Sequence, residues 1–158
     1  MIRAILAGLL LAAGLPALRP AITVDEMARA VVEQVNQARS RAGERPLVVD
    51  ARLQRAARRY SQELAWREAL DHVSPTPGRR TFMERLRAEG ARPRLAAENL
   101  AMLDQVPRLL PRQVVLLWLN SPGHRRNLLD PAYTRTGVGV WPGRNGVWYV
   151  AMEHASGP

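Results

Sequence analysis

The chain has 158 residues, no cysteine and a formal net charge of +9. Without cysteine there is no disulfide, no thiolate metal site and no lipid-modified cysteine. All 23 basic residues are arginine, scattered along helix faces instead of clustered, so the charge reads as compositional bias and argues against a nucleic-acid surface.

Arg3 precedes an almost wholly apolar run, Ala4 to Leu15, broken only by Gly8 and Gly14. A membrane span needs about 20 apolar residues. The shorter run here suits the core of a signal peptide, assigned to residues 1–20. Leu15-Pro16-Ala17 and Ala12-Ala13-Gly14 are both imperfect cleavage sites, and an uncleaved anchor is the alternative. The remainder, residues 23–154, has the length of a single domain with one core and no integral membrane domain after signal removal.

Thr23-Val24-Asp25-Glu26 is a capping box, in which Thr23 caps and Glu26 reaches back. Val24, Met27, Ala28, Val31, Val32, Val35 and Ala38 then recur at helical spacing. This first helix runs to about Arg41, and Gly43 stops it. Arg45 to Val49 is a short extended link. Asp50 caps a second helix over 51–70, with Leu53, Ala56, Ala57, Tyr60 and Leu64 on its apolar face. Asp71 to Gly78 holds two prolines and a glycine and reads as a loop. His72 stands at its start, where its plain role would be to cap the helix. Thr81-Phe82-Met83-Glu84 is a second capping box and opens a third, short helix that ends at Gly90.

Ala97 to Met102 is short and apolar around the acid-amide pair Glu98-Asn99, with one earlier strand as a possible reading. Pro107 or Pro111 begins the helix carrying Val114, Val115, Leu117 and Trp118. Ser121 then reads as the N-cap of another short helix with Pro122 at its first position. His124 falls at the third position, where the helix dipole disfavours a protonated imidazole. A neutral imidazole is what a metal ligand or general base requires. Leu128 and Leu129 should face inward. Thr136–Trp141 and Val147–Met152 are strands joined by a turn containing Asn145-Gly146. Helices followed by a hairpin indicate an α+β domain whose antiparallel sheet is covered by helices. Val31, Val35, Leu53, Tyr60, Leu64, Leu86, Leu117, Trp118 and Val138 should form the core. Trp148 and Tyr149 alternate, so one should face in and the other out.

His72, Glu98 and His124 each lie just beyond an apolar element. If they converge, two neutral imidazoles could bind a divalent ion such as zinc and leave positions open for water. Glu98 could be a third ligand, a general base or an orienting partner. Equally, the three could form a buried polar network that only fixes the loops.

Several segments together resemble the CAP superfamily, or SCP domain. This superfamily groups cysteine-rich secretory proteins, antigen 5 and pathogenesis-related proteins. The segments are Val35-Asn36-Gln37-Ala38-Arg39, Gly43 with Pro46-Leu47, Leu53 with Ala56-Ala57, His72, Glu98-Asn99-Leu100, Trp118 to Leu129 (Trp-Leu-Asn-Ser-Pro-Gly-His-Arg-Arg-Asn-Leu-Leu) and Gly137-Val138-Gly139-Val140. The pattern is most similar to the bacterial branch, from about Asp25 to Met152. The resemblance implies an α-β-α sandwich with a central antiparallel sheet, and a secreted or periplasmic protein. It also implies a central cleft of His72, Glu98 and His124, with a divalent metal on His72 and His124 in some members. The second acid of many eukaryotic members lies three positions after the helix tryptophan, where this chain has Ser121. The ending Ala151-Met152-Glu153-His154 is unlike the usual aromatic or amide one and offers Glu153 and His154 as further cleft candidates. The function expected is an exported binding module for a small apolar ligand, an envelope component such as a lipid, or a protein partner. The alternative is a metal-assisted hydrolase with Glu98 as its catalytic base.

Overall fold

A computed structural model describes residues 22–104 and 110–157. The expected signal peptide and Pro107 therefore lie outside the described residues.

The first helix, α1 (Val24–Arg41), begins with the expected capping box: Thr23 accepts from the Glu26 amide and Glu26 accepts from the Thr23 amide. Its buried face, Met27, Val31 and Val35 among others, covers one side of the sheet. The extended link contains a short strand, β1 (Val48–Val49). Helix α2 (Ala51–Arg67) starts at the Asp50 cap but stops earlier than its sequence suggests. Glu68 takes a left-handed conformation, φ 52°, and turns the chain out before Leu70. Helix α3 (Phe82–Ala88) follows, with its Thr81–Glu84 capping box in place.

The acid-amide segment is a full strand, β2 (Leu95–Leu103). Helix α4 is described from Leu110 to Asn120, and α5 spans Pro122–Leu129. Ser121 has extended N-cap backbone geometry, yet its side chain makes no capping hydrogen bond. The hairpin is β3 (Arg135–Pro142) and β4 (Trp148–Ser156).

The sheet order is β1-β3-β4-β2. The three long strands are antiparallel, and β1 adds a short parallel pair to β3. Where β1 ends, the Gln54 side chain continues the pairing, donating to the Val138 carbonyl at 2.5 Å and accepting from its amide at 3.1 Å. Gly137 and Gly139 let α2 lie directly on β3. A Cβ on Gly139 would stand 2.2 Å from the Ala57 carbonyl oxygen.

Strand alternation sends Val150 and Met152 to the α1, α4 and α5 side, and Tyr149 and Ala151 to the α2 side. The result is an α-β-α sandwich with apolar layers on both faces. This explains two departures from expectation. Trp148 is half-buried and Tyr149 buried, on opposite faces, because neither face is open. Leu117 is 43% exposed, while its neighbour Trp118 takes the inward position and is fully buried. Leu128 is buried as expected, and Leu129 packs only partly against the same cluster.

Candidate functional site

His72 sits in the loop after α2, and three contacts fix that loop. Tyr60 donates its hydroxyl to the Asp71 carbonyl. Arg85, from α3, donates to the His72 carbonyl at 3.3 and 3.4 Å. The His72 ring then meets β2, with Nδ1 2.8 Å from Glu98 Oε1. The other Glu98 oxygen accepts from Arg85 Nη2. Both members of that ion pair are almost fully buried, and the Arg85 guanidinium lies 3.4 Å above the Tyr60 ring. A buried carboxylate needs a cation and donors to offset its lost hydration, and Arg85 with His72 supplies both.

His124 approaches from the opposite helical layer. As expected, it occupies the third position of α5. Asn99 donates to its carbonyl at 3.1 Å, and Asn127 donates to Asn99 Oδ1 at 2.9 Å. Trp118 Nε1 donates to the Leu100 carbonyl at 2.9 Å, tying α4 to the same strand. The other end of α5 is held by buried Arg39, which donates to the carbonyls of Leu128 at 2.6 Å and Asp130 at 3.1 Å. Ser121 is half-buried at the start of α5.

The electrostatics link the two histidines. The hydrogen bond to Glu98 raises the His72 pKa above the ordinary imidazole value. Burial lowers that of His124, and positive charge on His72 lowers it further. Glu98 holding Nδ1–H leaves Nε2 of His72 as the nitrogen with a lone pair. His124 Nδ1 is buried with no hydrogen-bond partner among the described residues. Glu98 is buried and already pairs with His72 and Arg85, which leaves the two imidazoles as the more accessible metal donors. No three His, Asp or Glu side chains gather to hold an ion among the described residues. Two imidazoles suit at most an open site, not a closed tetrahedral one.

Glu153 and His154 are both fully buried. Glu153 stands directly opposite Glu98 across the β2–β4 pairing. His154 points to the other sheet face and packs on Tyr133, ring centroids 5.6 Å apart. Arg85 and Tyr60 are the site residues that the sequence does not single out as such. Arg85 is one arginine among many on a helix that reads as amphipathic, and Tyr60 reads simply as core. A groove of about 310 Å³ between α1 and α2 is lined by other residues, among them Ala28, Arg29, Val32 and Val49.

The model of the cysteine-rich secretory protein family, CAP, matches residues 32–152. The chain belongs to the CAP family. The uncharacterized protein YkwD of Bacillus subtilis is 36% identical over 117 residues, which cover 74% of this chain and 43% of that protein. The chain thus spans less than half the length of this relative. Among solved structures, an outer surface protein of Borrelia burgdorferi matches with a TM-score of 0.75 at 20% identity, over 87% of this chain and 97% of that one. An extracellular SCP-domain protein of Bacillus anthracis matches with a TM-score of 0.70 at 27% identity, over 88% of this chain and 45% of that one. These likenesses bear out the fold and the bacterial branch. No helix among the described residues is long and apolar enough to cross a membrane.

Proposed function

We propose that this CAP domain, residues 23–154, is an exported binding module whose ligand docks between His72 and His124 beside β2. The observation that carries this reading is the commitment of Glu98, one oxygen to His72 and the other to Arg85. A carboxylate held in this way orients an imidazole and is poorly free to take a proton from water. The metal-assisted hydrolase is therefore the weaker reading. Trp66, Leu70 and Val73, close to His72 in sequence, are 73%, 40% and 48% exposed. Exposed apolar side chains beside a polar pair suit a ligand with an apolar body and an anionic or metal-seeking head, such as a lipid of the envelope. Export is supported by the apolar run near the N-terminus and by the surface and extracellular relatives.

His72 and His124 would hold a divalent ion, with Glu98 orienting His72 from behind. When bound, the ion would polarise an oxygen of the ligand head. Laurate and zinc, each titrated alone into the chain, test the two parts. Laurate should quench tryptophan fluorescence saturably, with affinity falling about tenfold in Trp66→Ala and in His72→Ala. Zinc should give one-site calorimetric binding that a His72→Ala/His124→Ala variant loses. Laurate binding that is absent, or indifferent to both substitutions, contradicts the ligand reading. Zinc without heat removes the metal from it.

A further inference from the structure

Glu153 has a place in the fold that no ordinary carboxylate occupies. It lies mid-strand on β4, fully buried, and both its oxygens lack a hydrogen-bond donor among the described residues. Glu98 is its direct cross-strand partner. Its partner on β3 is Gly137, which brings no side chain. The ionisable groups around it are few. From β2 there is Glu98; from α3 there is Arg85, already paired with Glu98; from α2 there is Tyr60, beneath the Arg85 guanidinium with its hydroxyl given to Asp71. Beyond Glu98 lies His72. One buried cation thus faces two buried carboxyl groups.

Two ionised carboxylates opposite each other in a dry layer, with the one guanidinium paired to Glu98, would leave a full uncompensated charge. That costs far more than retaining a proton. Direct cross-strand pairing sets the Glu153 and Glu98 side chains side by side on one face of the sheet. Two carboxylates bond only when one of them carries a proton, so the apparent lack of a donor at Glu153 is resolved by making Glu153 itself the donor.

We propose that Glu153 is a protonated acid that donates its O–H to Glu98, so that the two carboxyl groups share one negative charge balanced by Arg85. Glu153 is then a positioning residue. It steadies Glu98 behind His72 and keeps the buried cluster of Glu98, Glu153 and Arg85 neutral. The inference does not depend on what the site binds. Burial and the negative charge of Glu98 both act to hold the proton on Glu153.

Carbon-13 NMR of the side-chain carboxyl groups, recorded on the full chain labelled with glutamate, tests this directly. One resonance, missing in Glu153→Gln and assigned in the wild type through Met152 and His154, should keep the shift of a protonated acid well above the pH at which the surface carboxylates ionise. Glu153 titrating together with the surface carboxylates would overturn the proposal. Folding stability gives a second reading. A carboxyl that holds its proton in the fold loses stability as pH rises above its unfolded value, whereas glutamine does not. The folding equilibrium constant of Glu153→Gln should therefore gain on the wild type by about tenfold per pH unit above roughly pH 5. His72 should titrate almost unchanged in Glu153→Gln. A gap that stays constant with pH, or a His72 protonation constant that falls about tenfold, would mean that Glu153 is ionised and the proposal is wrong.

Discussion

Glu98 and Asn99 are consecutive residues of β2 that hold the two site histidines from opposite faces of the sheet. Glu98 takes the His72 ring at 2.8 Å, and Asn99 takes the His124 carbonyl at 3.1 Å. The alternation of a strand makes this possible, since neighbouring side chains point to opposite sides. β2 is also the outer strand of the sheet, so groups from both helical layers can meet around it.

Arg85 is the support on which Glu98 depends. Replacing Arg85 with methionine leaves a carboxylate that is 1% exposed without its cation. Breaking a buried pair by removing one partner costs about 3–5 kcal/mol. Arg85→Met should lose that much at pH 8 by urea denaturation. The loss should shrink near pH 5, where His72 is cationic and still gives Glu98 a charge partner. An equal loss at both values would show that the pairing contributes little.

His154 places an acid limit on the fold. Burial, with the nearby positive charge of Arg39, pushes its pKa down to about 3, and both ring nitrogens lack a partner among the described residues. The folded chain therefore keeps His154 neutral while the unfolded chain protonates it. That stability is fully present above about pH 6.5 and is lost as pH falls toward 3. His154→Phe keeps the ring against Tyr133 and removes the titration. It should gain about 2 kcal/mol relative to the wild type at pH 5, compared with the difference at pH 7. Melting temperatures across that range check this, and parallel curves would contradict it.

Close contact between α2 and β3 depends on glycine. At Gly139 an added Cβ meets Ala57 backbone atoms at 2.2 and 2.4 Å, which no side-chain rotation relieves. Gly139→Ala should cost about 3 kcal/mol, because the helix must lift from the sheet. Gly123 has open space around the same atom, so a Cβ there meets no neighbour. Chemical denaturation of Gly139→Ala and Gly123→Ala should separate them clearly.

Much of this fold is legible in the sequence because its signals are local. Both capping boxes form as read, since each needs only four consecutive residues. Tyr60, Leu64 and Val35 are buried where helical spacing puts them. The departures arise where distant packing decides. Leu117 loses the inward position to Trp118 because α4 packs through Leu110, Val114, Val115 and Trp118, and Leu117 lies beside that face. Trp148 is covered because a second helical layer closes the face that a lone hairpin would leave open. In the site, His72, Glu98 and His124 stand out as polar residues beyond apolar runs. Arg85 does not, because its role comes from an ion pair across 13 residues and nothing local distinguishes it from the other arginines.

The proposed site joins His72 and His124 beside β2. Histidine ring NMR over a pH titration, in the wild type and in His72→Ala, tests it most directly. In the wild type His72 should titrate above the ordinary imidazole value and His124 below it. Removing the His72 charge should move the His124 midpoint upward, because that charge is part of what holds it down. A His124 titration that is the same with and without His72 would mean that the two rings do not sense each other, and the shared site would have to be abandoned.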